Sequence, residues 1–88
     1  MIGVKEAVKT ALDYVQELYG PTFSDFLLEE AEPTEDGLYW LITVGFSRSV
    51  RQKTSIAEML APKEERLYKI VKVDATSGEP ISVKIREV

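Results

Sequence analysis

The segment from residue 38 to residue 46, Leu-Tyr-Trp-Leu-Ile-Thr-Val-Gly-Phe, constrains this chain most, because it is apolar at consecutive positions rather than at alternate ones. Its β-branched and aromatic residues predict a strand. A strand that is apolar on both sides has to be covered on both sides. In a chain of 88 residues the core is thin. We therefore expect a helix on one face of the sheet and either a loop or another protein on the other.

Residues 3–19 carry apolar side chains at helical spacing, with charged side chains between them. This pattern predicts an amphipathic helix, the only long helix that the sequence offers. Gly20 and Pro21 are expected to end it, with Gly20 in the left-handed conformation that favours glycine and Pro21 unable to continue the hydrogen bonds.

Three further strands are predicted over residues 23–31, 66–75 and 81–87. Turn-forming residues separate the strands at 33–37 and 76–79. The last strand alternates apolar and polar residues, so we expect an edge strand whose Ile81, Val83 and Ile85 share one dry face. The fold class is therefore α+β, with one N-terminal amphipathic helix packed on a four-stranded antiparallel meander. Residues 1–88 form a single domain.

Residues 47–65, between the second and third strands, are too numerous for a bare loop in a compact domain. Residues 55–58, Ser-Ile-Ala-Glu, have the form of a capping box and predict a short helix that Pro62 ends. The stretch before it contains Arg48, Arg51 and Lys53 and no acid. It is either a solvated loop tip or a docking site for an acidic protein. Three cations without interleaved aromatic residues are few for nucleic acid.

The absence of cysteine and histidine removes thiolate chemistry, disulfides, the commonest general base and the commonest transition-metal ligand. The five glycines are scattered, so they do not form a phosphate-binding loop. Several acids flank the first turn, but a solvated turn does not raise the pKa of a carboxyl, and their spacing does not match a calcium loop. The sequence therefore predicts a protein that is not an enzyme and has no cofactor or metal site.

The start of the chain leads directly into the amphipathic helix and lacks the apolar segment of a signal peptide. The sequence also has no apolar window long enough to span a membrane. The net charge of −4 disfavours nucleic acid and anionic membranes as partners. We expect a cytoplasmic protein.

Alternation along the central strands divides their side chains between two faces. Trp40 is predicted to lie in the core between sheet and helix, near Leu12 and Val15. The opposite face then carries four apolar or aromatic residues, namely Tyr39, Leu41, Tyr68 and Ile70. These four are covered by the short helix through Ile56, Met59 and Leu60, or they form an interface with another protein, or a second copy of the chain covers them in a homodimer.

Residues 68–79, Tyr-Lys-Ile-Val-Lys-Val-Asp-Ala-Thr-Ser-Gly-Glu, resemble the aromatic-led strand and the Val-Asp-Ala and Gly-Glu turn of PepSY-like domains. With the helix and the first hairpin, the resemblance to this group and to the broader cystatin-like architecture covers most of residues 4–87. It implies a curved sheet around one helix and a non-catalytic module for protein contact or inhibition. The alternative is a carrier that holds a small ligand between helix and sheet.

Overall fold

The computed structural model describes residues 1–20, 23–50 and 63–85, with the side chains of residues 48–50 and 63–65 left aside. Its elements are α1 (Val4–Tyr19), β1 (Ser24–Pro33), β2 (Tyr39–Val50), β3 (Lys63–Asp74) and β4 (Pro80–Ile85). The four strands form one antiparallel sheet in the order β1-β2-β3-β4, and α1 packs on one face. The prediction of an α+β fold with one helix on a four-stranded meander is confirmed.

Helix α1 buries a narrow stripe of small side chains, Ala7, Ala11 and Val15, each four residues after the last. Alanine places little bulk between two backbones, so the helix can approach the sheet closely. No helix in the described residues is long and apolar enough to cross a membrane.

The end of α1 differs from the prediction. Gly20 keeps a right-handed backbone, with φ −50° and ψ −40°, and its N–H donates to the Gln16 carbonyl at 2.7 Å. A Cβ at this position would collide with that same carbonyl oxygen. Glycine is therefore needed here for a close approach, and not for a left-handed conformation.

The core lies between α1 and the strand residues that face it. Ile42, Val44, Phe46, Val71 and Val73 are all fully buried. Phe46, the largest of them, packs among three other aromatic rings near the C-terminal end of α1. The ring of Phe46 lies 5.4 Å from Tyr19, 4.9 Å from Phe23 and 5.3 Å from Phe26, measured between centroids.

Both predicted turns are present. Between β1 and β2, Gly37 has φ +72°, and its N–H donates to the Thr34 carbonyl at 2.9 Å. Between β3 and β4, Gly78 has φ +77°, and the Asp74 carboxylate accepts the amides of the two residues that follow Ala75. Both glycines occupy the left-handed region that other residues avoid.

The prediction that the second strand ends at Phe46 and is followed by a loop over residues 47–65 is wrong. The ladder between β2 and β3 continues through Arg48↔Glu65 to Val50↔Lys63. A hairpin can extend beyond its apolar part through pairs of polar and charged residues, because the backbone hydrogen bonds of the ladder do not require apolar side chains. The predicted short helix lies outside the described residues.

The predicted dry face of the last strand is only partly correct. Val83 packs against the core, whereas Ile81 is 52% exposed and Ile85 is 71% exposed. A register shift where β4 begins displaces Ile81 from the regular alternation. A single helix is about 10 Å wide and four strands span about 15–19 Å, so α1 cannot cover the far edge of the sheet.

Trp40 lies on the helix side of β2 and packs against the core, as predicted, but it is only partly buried. Its indole Nε1–H donates to the Ile2 carbonyl at 3.3 Å. Ile2 is held in turn by its own N–H, which donates to the Ala75 carbonyl at 2.8 Å. This bond anchors the indole to the start of the chain, ten residues before the predicted neighbour Leu12.

Candidate functional site: the outer face of the sheet

The outer face is the side of the sheet that faces away from α1. The β2–β3 register pairs Leu41 with Lys72, Thr43 with Ile70 and Gly45 with Tyr68. Directly paired residues of antiparallel strands point to the same side. The prediction that Tyr39, Leu41, Tyr68 and Ile70 share the face opposite the helix is confirmed.

These four apolar and aromatic residues are neither buried nor fully exposed. Thr43, which lies among them on the same face, is 4% exposed. The centre of the outer face is thus a compact apolar stripe, defined by Tyr39, Leu41, Tyr68 and Ile70. The first of the three covers that the sequence suggests, the short helix with Ile56, Met59 and Leu60, lies outside the described residues.

A lysine from β3 borders the apolar stripe near the first turn. The Lys72 Nζ lies 4.1 Å from the centroid of the Tyr39 ring, which is a cation–π contact. Nearby, the Thr34 hydroxyl and the Leu38 amide hold the pKa of the Asp36 carboxyl below its ordinary value, with Lys72 adding a smaller effect of the same sign. These hydrogen bonds therefore favour the ionised form of the Asp36 carboxyl.

Arg66 crosses the outer face from β3 to β1. Its Nη1 donates to the Ser47 hydroxyl at 3.0 Å and to the Asp25 carbonyl at 3.0 Å, and its Nη2 lies 2.9 Å from the Glu29 carboxylate. Asp25 has a positive φ of 57°, in a part of β1 where the register with β2 shifts. One guanidinium thus ties an irregular edge strand to the third strand of the sheet.

The absence of a side chain at Gly45 leaves room for the ion pair between Arg66 and Glu29. A Cβ at Gly45 would lie 2.6 Å from the Glu29 carboxylate oxygen and 2.9 Å from the Arg66 Nη2. No pattern in the sequence predicted that Arg66, Glu29 and Gly45 form a unit. A glycine inside an apolar strand was the available signal, since it often marks the close approach of another group.

Charge is divided across the outer face. The register places Glu30 and Glu32 of β1 at one margin of this face and Lys84 of β4 at the other. Between the margins, β3 carries charges of both signs, because Lys72 pairs with Leu41 and Asp74 pairs with Tyr39. Glu32 and Lys84, at the two margins, are exposed. The face therefore has an acidic margin, a central apolar stripe and a basic margin.

Of the predicted basic site, only Arg48 lies in the described part of the chain. It belongs to β2 and is paired with Glu65, so it extends the hairpin instead of forming a loop tip. Arg51 and Lys53 lie outside the described residues. The Arg48, Arg51 and Lys53 docking site therefore stays a prediction.

Other kinds of site find little support within the described residues. No group of three or more carboxylate side chains there has the arrangement to hold a metal ion. The eight central core residues of α1, β2 and β3 are fully buried. A cavity large enough for a ligand would leave part of the surface of its lining residues uncovered, so no observation favours the carrier alternative.

Comparison of the chain with protein-family models, with curated protein sequences and with solved structures gave no match. The function proposed below rests on the geometry and chemistry of the outer face.

Proposed function

We propose that this protein is a small non-enzymatic module that binds another protein through the outer face of its sheet, and that it acts by regulation or inhibition in the cytoplasm. The observation that carries the proposal is the apolar stripe of Tyr39, Leu41, Tyr68 and Ile70, which the helix does not cover. Aromatic residues at the centre of a charged rim are typical of protein interfaces.

The position of the stripe on a sheet supports the proposal. The four side chains project from paired central strands whose other face is fixed by the buried core, so their spacing is set before a partner arrives. A preformed surface loses little conformational entropy on binding. The Arg66 bridge to Asp25 and Glu29 also holds β1 in place beside the stripe.

The resemblance of residues 68–79 to PepSY-like domains is part of the same proposal. The element order, one helix followed by four antiparallel strands in sequential order, is the order that such a domain needs. A non-catalytic module for contact or inhibition would use a face of the sheet, since the helix occupies the other.

The test is affinity isolation from the native host with two matched variants. Ile70→Lys places a charge within the apolar stripe, whereas Leu18→Lys places the same charge on the helix, at a residue that is 50% exposed. We expect the wild type and Leu18→Lys to retain the same stoichiometric partner and Ile70→Lys to lose at least about tenfold of it. Circular dichroism checks that both variants fold.

Equal retention of the partner by folded Ile70→Lys would contradict the proposal, because binding would then not use the outer face. The result would instead direct attention to the predicted basic site, which Arg48→Glu, Arg51→Glu and Lys53→Glu together would test. Loss of binding in that triple variant, with full binding in Ile70→Lys, would replace the outer face with the basic stretch.

A further inference from the structure

The outer face is electrostatically complementary to itself, and we infer that its partner is a second copy of this chain, placed so that β1 of each copy lies over β4 of the other. The inference rests on the proposed function and names its occupant. It depends on three features: the acidic margin, the basic margin and the apolar stripe between them.

Symmetry selects the arrangement. Two sheets that pack face to face as a homodimer are related by a two-fold axis that lies between them. We call a row the residues that are paired with one another across the four strands. An axis that runs along the strands reverses the strand order in the second copy. Each row of one copy then lies opposite the same row of the other copy. The acidic β1 margin then meets the basic β4 margin. An axis across the strands would instead place β1 on β1 and β4 on β4, with like charges facing each other.

The residue rows show which side chains meet. In one row β1 carries Glu30 and β4 carries Lys84, and the adjacent row begins with Glu32. With the axis along the strands, Lys84 of the second copy faces these carboxylates, and the contact is repeated by symmetry. Between the two contacts, the apolar stripes of both copies meet and bury their exposed parts, as in a sheet sandwich.

The size of the face sets the strength of the dimer. The outer face extends over four strands and over the four rows from Tyr39 to Tyr68, which gives a patch of about 400–500 Å² on each copy. The patches of the two copies together bury about 1,000 Å². This total lies at the lower end of specific interfaces. We therefore expect reversible association with a dissociation constant in the range of about 1–100 μM.

The experiment is sedimentation velocity of the purified chain from about 1 μM to about 500 μM, with charge-reversal variants at the margins. Glu32→Lys and Lys84→Glu each create like-charge contacts at both symmetry-related margins of the dimer. Each is expected to weaken association about tenfold or more. The double variant restores opposite charges between positions 32 and 84 but leaves Glu30 opposite a carboxylate, so it is expected to regain part of the association that Lys84→Glu loses.

Matched controls carry the same charge changes on the exposed side of the helix. Glu17→Lys and Lys9→Glu lie away from the sheet, and both residues are exposed. They are expected to associate as the wild type does. If a margin variant fails to fold by circular dichroism, Glu32→Gln and Lys84→Gln replace it, because they remove the charge without reversing it.

Three outcomes would overturn the inference. The first is a wild type that stays monomeric at the highest concentration. The second is a dimer that Glu32→Lys and Lys84→Glu affect no more than the helix controls do. The third is a double variant that associates no more strongly than Lys84→Glu alone, which rejects the axis along the strands. A monomeric wild type whose foreign partner is lost in Ile70→Lys would overturn the second copy and leave the proposed function standing.

Discussion

The two faces of this sheet are built from the same strands, yet they differ in how their side chains are covered. On the helix face, alternate residues of β2 and β3 are fully buried against α1. On the outer face, the four residues of the apolar stripe are partly exposed and are bordered by charge, whereas Thr43 between them is buried. Period-two alternation assigns each residue to a face, but only the presence of α1 makes one face a core. The helix face should therefore carry stability, and the outer face should carry recognition.

The largest expected effect is on the helix face. Phe46→Ala removes a fully buried ring that contacts three others and should lower the free energy of unfolding by about 3–5 kcal/mol. Tyr68→Ala removes a ring of similar size from the outer face and should cost about 1 kcal/mol or less, since this ring is partly exposed. Urea unfolding at about 1 μM, where a weak dimer dissociates, measures both.

Equal losses in Phe46→Ala and Tyr68→Ala would break the comparison, since they would show that both faces are equally covered within one chain. Phe46→Leu serves as a milder control. It keeps the position apolar and should lose less stability than Phe46→Ala.

Trp40 tests the end of the helix face, where coverage is incomplete. Trp40→Ala should lower the free energy of unfolding by about 2–4 kcal/mol, less than a fully buried ring, since the indole is only partly buried. Trp40→Phe keeps most of the packing but loses the bond to the Ile2 carbonyl, for a cost of about 1 kcal/mol.

Fluorescence gives an independent measurement, because Trp40 is the only tryptophan of the chain. Acrylamide should quench the native protein more slowly than the unfolded protein, but not negligibly. Quenching as rapid as in urea would place the indole in solvent and remove it from the helix face.

Substitution of Gly45 tests how much the ion pair between Arg66 and Glu29 on the outer face contributes to stability. Gly45→Ala should cost about 0.5–1 kcal/mol, because the added methyl displaces the Arg66 and Glu29 side chains from each other. In a background of Arg66→Ala and Glu29→Ala, the same change should be neutral or slightly stabilising, since alanine restricts the unfolded chain more than glycine does.

The measurement is a mutant cycle by urea unfolding. A cost for Gly45→Ala that is unchanged in the Arg66→Ala and Glu29→Ala background would mean that the glycine serves the backbone alone. Arg66→Lys is a useful companion, because lysine keeps the charge but cannot reach Ser47, Asp25 and Glu29 together.

The smallest effect is expected from Asp74, where β3 ends. The Ser77 and Thr76 amides hold the pKa of its exposed carboxyl below the ordinary value of 3.8. A carboxyl whose pKa is lower in the folded state stabilises the fold fully above its ordinary pKa. This contribution is lost as the pH falls below 3.8 and through the folded pKa.

The difference in stability between the wild type and Asp74→Ala should therefore shrink as the pH is lowered from about 6 to about 2. Asp13→Ala, which removes a carboxyl from the exposed side of the helix, is the control for the change in net charge. A difference between the wild type and Asp74→Ala that stays constant with pH would show that the carboxylate does not act through these amides.

Local patterns predicted much of the fold because the forces that they report are local. The apolar spacing of residues 3–19 is sufficient for the helix, and glycine beside turn formers is sufficient for the turns at Gly37 and Gly78. Alternation correctly separated Trp40 from Tyr39 and Leu41. The lengths of β2 and β3 were underestimated because their ladder continues through charged residues.

The candidate site was predictable in part. The apolar stripe follows from alternation along two strands, so the sequence identified all four of its members. The crossing of Arg66 over Gly45 to Glu29 joins residues from three strands, with bulges in β1 that shift the register. No short-range pattern encodes such a contact, since it depends on the positions of three strands at once.

By itself, the sequence determined which side chains share a face, because that depends only on the period of a strand or helix. The tertiary structure decided which face became the core and how far along the sheet the cover extends. One helix is narrower than four strands, so Val83 is packed while Ile85 is exposed. The strand order also placed the carboxylates of β1 and Lys84 of β4 at opposite margins, because each strand lies beside its neighbour in the chain.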